Sequence, residues 1–311
     1  MSQDLVAGRV RLGRAARPAA ARPPAAGNRA LAGIGLAMLG VFLFGANNAV
    51  MKDLVSRNPV PEMIAFRSIF SLLLLSPFLR VRAFRAALRA SPPWLHLLRM
   101  TMSALEMTCF FTAVSMMPLA DASTLYLAAP IYITAMSPLL LSERVGCRRW
   151  TAVVVGFGGV LIALRPTAAA ISPGALIATA GALMFSLVVV TTRLLRGAST
   201  TVLIALQLLA ALIVSLVQAS GRWAVPRWSD LAISLGASVI SVTGYAAFNE
   251  SLRIAPASVV APFQYTSLIW AVLFGVAFFG EIPGEATLAG AAVIIAAGLF
   301  IIWRERTRQS V

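Results

Sequence analysis

Charge is what this sequence has least of. Of its 311 residues 12% are charged and 59% hydrophobic, against about 25% and 45–50% in soluble domains. So few charges cannot clothe a soluble surface, which excludes the two soluble domains that the length alone would suggest. Acidic residues are scarcest, 11 Asp and Glu against 26 Lys and Arg, for a net charge of +15. The basic residues stand at the ends of apolar tracts, not on one face of a soluble module beside aromatics, which argues against nucleic acid as a partner. There is one histidine, His96, and two cysteines, Cys109 and Cys147, without CxxC spacing. They suggest neither a metal site nor a disulfide framework, and both thiols are expected to be buried. No GxxxxGK[ST] segment occurs, so nucleotide hydrolysis by this chain is excluded. One histidine with scattered acids does not form the constellation of a membrane-embedded enzyme. No enzymatic activity and no cofactor are expected.

What the sequence does have is apolar tracts in close order. They run over 31–52, 60–79, 94–116, 122–142, 150–165, 174–194, 201–219, 229–252, 257–279 and 286–303. About 20 residues cross a bilayer core, so ten such tracts leave room only for tails and short loops. Hydrocarbon satisfies no backbone N–H or C=O, and unbroken apolar tracts lack the alternation of barrel strands, so each is expected to be helical. The fold class is therefore all-α integral membrane, with ten transmembrane helices. Residues 1–30, rich in Arg and Pro without a continuous apolar core, read as a disordered basic tail and not a signal peptide. Residues 304–311 form a second basic tail.

Basic residues in alternate connections set the orientation. One side takes the six tail arginines, Arg80, Arg82, Arg85, Arg89, Arg144, Arg148, Arg149, Arg193, Arg196, Arg253, Arg304, Arg306 and Arg308. The other takes Lys52, Arg57, Arg165, Arg222 and Arg227. The asymmetry places both termini in the cytoplasm of a multi-pass protein of the cell's inner membrane.

Setting Glu143 over Glu281 also sets Pro118 over Pro256, while Phe44 falls over Phe185 and Lys52 over Arg193. The chain thus divides into repeats over 31–165 and 174–303. Five spans each is an odd number, so the second half enters the membrane from the opposite side. Such an inverted repeat places a substrate site near the midplane, between the halves.

PLADASTLYLAAPIYITAMSPLLLSERV, APASVVAPFQYTSLIWAVLFGVAFFGEIP, FLFGANNAVMKDL and the Arg67 of AFRSIFSLLLL resemble the EamA type of the drug/metabolite transporter superfamily. The resemblance covers about residues 31–303. It implies a secondary transporter, with Glu143 and Glu281 as the acidic residues that close the fourth span of each half. Relatives of that type move amino acids, S-adenosylmethionine, riboflavin and metallophore-type compounds. Where Arg67 would recur in the second half stand Leu206 and Gln207, so the halves are not equivalent.

Charge inside a bilayer costs about 2.5–3.5 kcal/mol at a helix centre, so each instance needs a partner or a purpose. At about 1.5 Å per residue, Arg67 lies roughly 9 Å and Glu106 about 12 Å below the outer face, which makes them a candidate pair. Arg99 and Glu250, each near the inner face, form a second. Glu106 is also a candidate proton-coupling group or contact for a cationic substrate, with protons the possible coupling ion. Polar and aromatic residues within spans are the cavity candidates: Asn47, Asn48, Thr112, Tyr126, Tyr132, Ser186, Tyr245, Asn249, Gln264, Tyr265 and Trp270. Half of them are expected to serve helix–helix hydrogen bonding instead. Tyr126, Tyr265 and Trp270 could stack on a flat substrate. Prolines 118, 130, 138, 256 and 262 gather in or before the fourth and ninth spans, where paired kinks mark moving, substrate-lining elements. Gly156, Gly158, Gly159, Gly290 and Gly298 serve close helix packing, or contact between chains of a homodimer. These features specify a secondary carrier of a small organic metabolite. An aromatic amino acid or riboflavin is the first expectation, S-adenosylmethionine or a metallophore the second. A membrane-embedded enzyme and a channel or assembly subunit are the alternatives from other classes.

Overall fold

The computed structural model describes residues 26–140, 147–164, 172–195, 198–220, 223–224, 226–254 and 261–309. No strand occurs among them. The helices are α1 (Ala26–Arg57), α2 (Val60–Leu75), α3 (Val81–Ala90), α4 (Pro93–Met116), α5 (Leu119–Tyr126) and α6 (Ala129–Leu140). They continue with α7 (Cys147–Leu164), α8 (Pro173–Leu194), α9 (Thr200–Gln218), α10 (Trp228–Ile254), α11 (Ser267–Phe279) and α12 (Glu285–Gln309). Within α1, α2, α4, α8, α9 and α10 lie six stretches long and apolar enough to cross a membrane, while α7, α11 and α12 carry shorter apolar segments. The protein is a multi-pass membrane protein. Large apolar side chains face outward along the bundle, Leu73, Val154, Leu161, Val217 and Phe278 among them, as lipid allows and water would not.

Proline starts several helices. Pro61, Pro93 and Pro173 occupy first-turn positions of α2, α4 and α8, where the missing N–H has no helical partner to lose. Ser172 accepts from the Ala175 N–H at 3.2 Å and caps α8.

One expected continuous span is broken, and another changes helix type. The fourth divides into α5 and α6 at Leu127–Ala128. Pro130 has no N–H to give the Tyr126 carbonyl, and its ring crowds that same carbonyl. The Ala129 carbonyl takes a hydrogen bond from Ser186 Oγ of α8 at 3.3 Å. Within the ninth tract, Ala261–Thr266 is a 3₁₀ segment that runs directly into the α-helix from Ser267. The connection after the second tract holds a further helix, α3. Glu143 and Pro256 lie outside the described residues.

The chief helix contacts join the chain's two parts. α1 packs along α10, α4 along α8, α2 along α9 and α7 along α12. α1 also meets α11, and α8 meets α5 and α6. Gly159 and Gly290 let α7 and α12 cross closely: a Cβ on Gly290 would stand 2.7 Å from both the Gly159 carbonyl oxygen and the Ala163 Cβ. These glycines serve packing within the chain.

Candidate functional site

Two large apolar clusters hold most of the core. One gathers Met51, Leu54, Met63, Phe110 and Phe111 from α1, α2 and α4. The other gathers Leu125, Ile131, Tyr132, Tyr265 and Ile294 from α5, α6, the 3₁₀ segment and α12. Tyr126 packs against both. Beside it, between α2, α4, α9 and α10, is a concentration of polar groups.

Its centre is Arg67, 2% exposed. One guanidinium nitrogen donates to Ser241 Oγ at 2.8 Å and another to Met107 Sδ at 3.2 Å. The guanidinium carbon lies 5.7 Å from the Phe111 ring centroid, a cation–π arrangement. The Tyr245 phenol of α10 stands beside the guanidinium and in turn faces Gln207 of α9. Arg67 Nε has no partner. A buried charged donor left unbonded costs more than the 1–3 kcal/mol of a neutral one.

Glu106 of α4 is within electrostatic reach of Arg67, but the two do not close into the expected ion pair. The guanidinium is held by Ser241, Met107 and Tyr245 on its own side. Tyr126 keeps Glu106 in place, its hydroxyl donating to the Glu106 carbonyl oxygen at 3.3 Å and facing the carboxyl group. Glu106, Tyr126, Gln207 and Tyr245 are all only partly buried. Aromatic edges frame them, with Phe110 against Tyr126 at 5.0 Å and Phe44 against Tyr245 at 4.8 Å. A Cβ on Gly181 would lie 2.1 Å from the Tyr126 hydroxyl. The phenol reaches its place because α8 has no side chain there.

Arg99, of the second expected pair, is anchored on two helices. Arg99 Nε donates to Thr192 Oγ1 at 2.8 Å and its Nη1 to the Leu203 carbonyl at 3.0 Å. Arg99 is thus tied to α8 and α9.

The remaining candidates scatter. Asn47 is buried, its amide 3.4 Å from Asn48 Oδ1. Thr112 lies partly buried six residues beyond Glu106 on α4, and Asn249 one turn beyond Tyr245 on α10. Tyr132 is a core side chain against Phe157, and Ser186 holds the break in the fourth span. Tyr265 is buried where a Cβ on Gly298 would sit 1.5 Å from its hydroxyl, and Gln264 is exposed. Trp270 meets Phe42 edge-on at 4.9 Å and stacks on Phe274. Tyr126, Tyr265 and Trp270 therefore have separate ring or backbone neighbours, and no single stacking platform forms from them. His96 is buried, and Cys147 is exposed where a buried thiol was expected. Gln207, Ser241, Met107 and Phe111 were not legible as site residues; only the position of Gln207, opposite Arg67 in the repeat, hinted at a role.

A second polar group closes the bundle at the end remote from both chain ends. Lys52 Nζ of α1 lies 2.6 Å from Glu281 Oε1 and donates to the Met117 carbonyl at 2.9 Å. Glu281 Oε2 accepts from the Leu119 N–H at 3.0 Å. Gly280, at φ +64°, turns the chain after α11, and the Glu281 N–H returns to the Gly275 carbonyl at 3.0 Å. That glycine turn aims Glu281 back across the bundle. Nearby, Thr287 Oγ1 donates to Asp121 Oδ1 at 2.7 Å, and Asp230 receives Asn58 Nδ2 at 3.2 Å and pairs with Arg57 at 3.7 Å.

A broken helix, a buried arginine with a carboxylate within electrostatic reach, and a polar closure at one end suit a membrane carrier. The EamA-like transporter family matches residues 31–165 and 172–303, and the chain belongs to that family. An S-adenosylmethionine uptake transporter of Rickettsia bellii is 29% identical over 271 residues, 85% of this chain and 91% of that protein. A riboflavin transporter of Rhizobium johnstonii is 33% identical over 243 residues, 77% and 80% of the two chains. A pseudopaline exporter of Pseudomonas aeruginosa is 30% identical over 267 residues, covering 82% and 90%. A protein of known crystal structure superposes with a TM-score of 0.60 over 90% of this chain and 98% of its own, at 16% identity. That likeness concerns the fold alone.

Proposed function

We propose that this protein is a secondary active carrier that moves a small zwitterionic metabolite with a flat ring across the inner membrane by alternating access. The observation that carries the reading is the split charge at the centre. Arg67, with an unused Nε donor and a bond to Ser241, and Glu106, on the facing helix within electrostatic reach, form no direct salt bridge among the described residues. A ligand with a carboxylate for Arg67 and an ammonium for Glu106 meets both, while the Phe110–Tyr126 and Phe44–Tyr245 pairs offer ring edges for an aromatic group. An aromatic amino acid fits these demands, and so does S-adenosylmethionine, the substrate for which the Rickettsia bellii relative is named. A metallophore built from amino acids shares the same charged groups. A neutral flavin is the second reading. The aromatic edges and the Rhizobium johnstonii relative favour it, but it leaves both buried charges without a counterpart.

The architecture of this proposal is ten spans in two inverted halves, 31–165 and 174–303, between cytoplasmic tails at 1–30 and 304–311. The packing pattern supports it. Exchanging the halves turns the α1–α10 contact into α8–α4 and α1–α11 into α8 with α5 and α6, while α2–α9 and α7–α12 map onto themselves. The remote end, closed by Lys52 and Glu281, then faces outward. Uptake into proteoliposomes of labelled tryptophan, S-adenosylmethionine and riboflavin tests the reading. Saturable movement of one of the first two supports it. Movement of riboflavin alone establishes the second reading, and no saturable movement of any of the three contradicts both.

A further inference from the structure

We propose that α3 and the groove beside it form a binding site for an anionic phospholipid. The segment from Arg80 to Arg89 carries four arginines, and no acidic residue occurs anywhere between Glu62 and Glu106. Arg80, Arg82, Arg85 and Arg89 are all exposed. Phe84 faces the other way, packed against Val202 and Leu206 of α9. A short helix with one apolar anchor and an arginine face lies in the membrane interface.

Two adjoining clefts give the site its shape. An apolar groove between α2, α3 and α9 is lined by Leu72, Leu79, Phe84, Ala205, Leu206 and Leu209, with Arg80 at its mouth. The neighbouring cleft places Arg80 beside Ser199 and Thr201. Arg80 is thus shared by an apolar groove and a mixed cleft that holds two hydroxyl residues beside Pro77, Phe78 and Val202. An acyl chain fits the groove, and a phosphate fits the guanidinium with two hydroxyls at hand. Arg82, Arg85 and Arg89 extend the positive field over neighbouring headgroups. The charge complementarity selects an anionic lipid over a zwitterionic one. The groove selects a lipid over free phosphate, which would occupy only the cleft beside Ser199 and Thr201.

The test is native mass spectrometry of the purified full chain with phosphatidylglycerol or phosphatidylcholine of identical acyl chains. Phosphatidylglycerol should be retained at least tenfold better. Arg80→Gln should lower its retention about fivefold, and Arg82→Gln/Arg85→Gln/Arg89→Gln together about a hundredfold, near one fivefold factor per arginine. These side chains are exposed, so unchanged thermal stability certifies folding of each variant. Millimolar inorganic phosphate should leave retention unchanged. Equal retention of both lipids, indifference to Arg80→Gln in a folded variant, or displacement by inorganic phosphate would overturn the proposal.

Discussion

Lys52 and Glu281 meet at 2.6 Å across the remote end of the bundle, and each also holds the backbone between α4 and α5, at Met117 and Leu119. Lys52 is about 8% exposed and Glu281 about 21%, so this is a largely sheltered pair. Removing one partner of a buried pair costs about 3–5 kcal/mol, because the other charge is left uncompensated. A carrier escapes that cost by opening. Glu281→Gln should therefore shift the population toward a state open at this end. A membrane-impermeant maleimide should label Met117→Cys at least tenfold faster in the Glu281→Gln background. Equal labelling rates would show that the pair does not hold the end closed.

Gly181 tests the placement of Tyr126. Gly181→Ala sets a methyl group 2.1 Å from the Tyr126 hydroxyl, an overpacking expected to cost about 1–3 kcal/mol. Transport should fall, and adding Tyr126→Phe, which removes the clashing oxygen, should restore most of the thermal stability. A Gly181→Ala protein as stable as the parent would mean that Tyr126 does not point at α8.

Arg67 is expected to anchor the substrate. Arg67→Gln removes a charge-assisted contact of about 1.5–3 kcal/mol, roughly ten- to hundredfold in apparent affinity. Ser241→Ala, which frees one guanidinium hydrogen bond without touching the charge, should cost less than tenfold. Binding measured by scintillation proximity separates the two variants, and equal losses would make Arg67 a structural residue only.

Glu106 is the candidate for proton coupling. An imposed pH gradient should accelerate uptake by the parent protein and leave Glu106→Gln unaffected, whatever basal rate that variant keeps. A gradient response preserved in Glu106→Gln would remove Glu106 from the coupling path.

Much of the fold is legible in composition alone. Tracts of apolar residues must be helical in lipid, and long helical stretches stand where those tracts do, from Leu31–Arg57 to Trp228–Ser251. Pro130 flags the break between α5 and α6, but the bond from Ser186 to the Ala129 carbonyl beside that break comes from a partner 57 residues away. α3 is hidden because its arginines resemble an ordinary cytoplasmic loop, and Phe84 acquires its meaning only once α9 lies beside it. Depth arithmetic brings Arg67 and Glu106 to neighbouring levels, yet depth says nothing of rotation about each helix. Ser241 and Met107 claim the guanidinium for that reason. Arg99 likewise turns to Thr192 and Leu203. Of the tyrosines, Tyr126 and Tyr245 face the polar centre while Tyr132 and Tyr265 fill the core, a distinction set by neighbouring helices and invisible to spacing.

The most direct test of the central claim is counterflow of labelled S-adenosylmethionine in proteoliposomes loaded with the unlabelled compound or with tryptophan, compared between the parent protein and the Arg67→Gln/Glu106→Gln double variant. Saturable accumulation by the parent, driven by at least one of the two compounds and abolished in a double variant that still folds, is the predicted result. Accumulation that persists undiminished without either charge would contradict the assignment of this cluster as the substrate site.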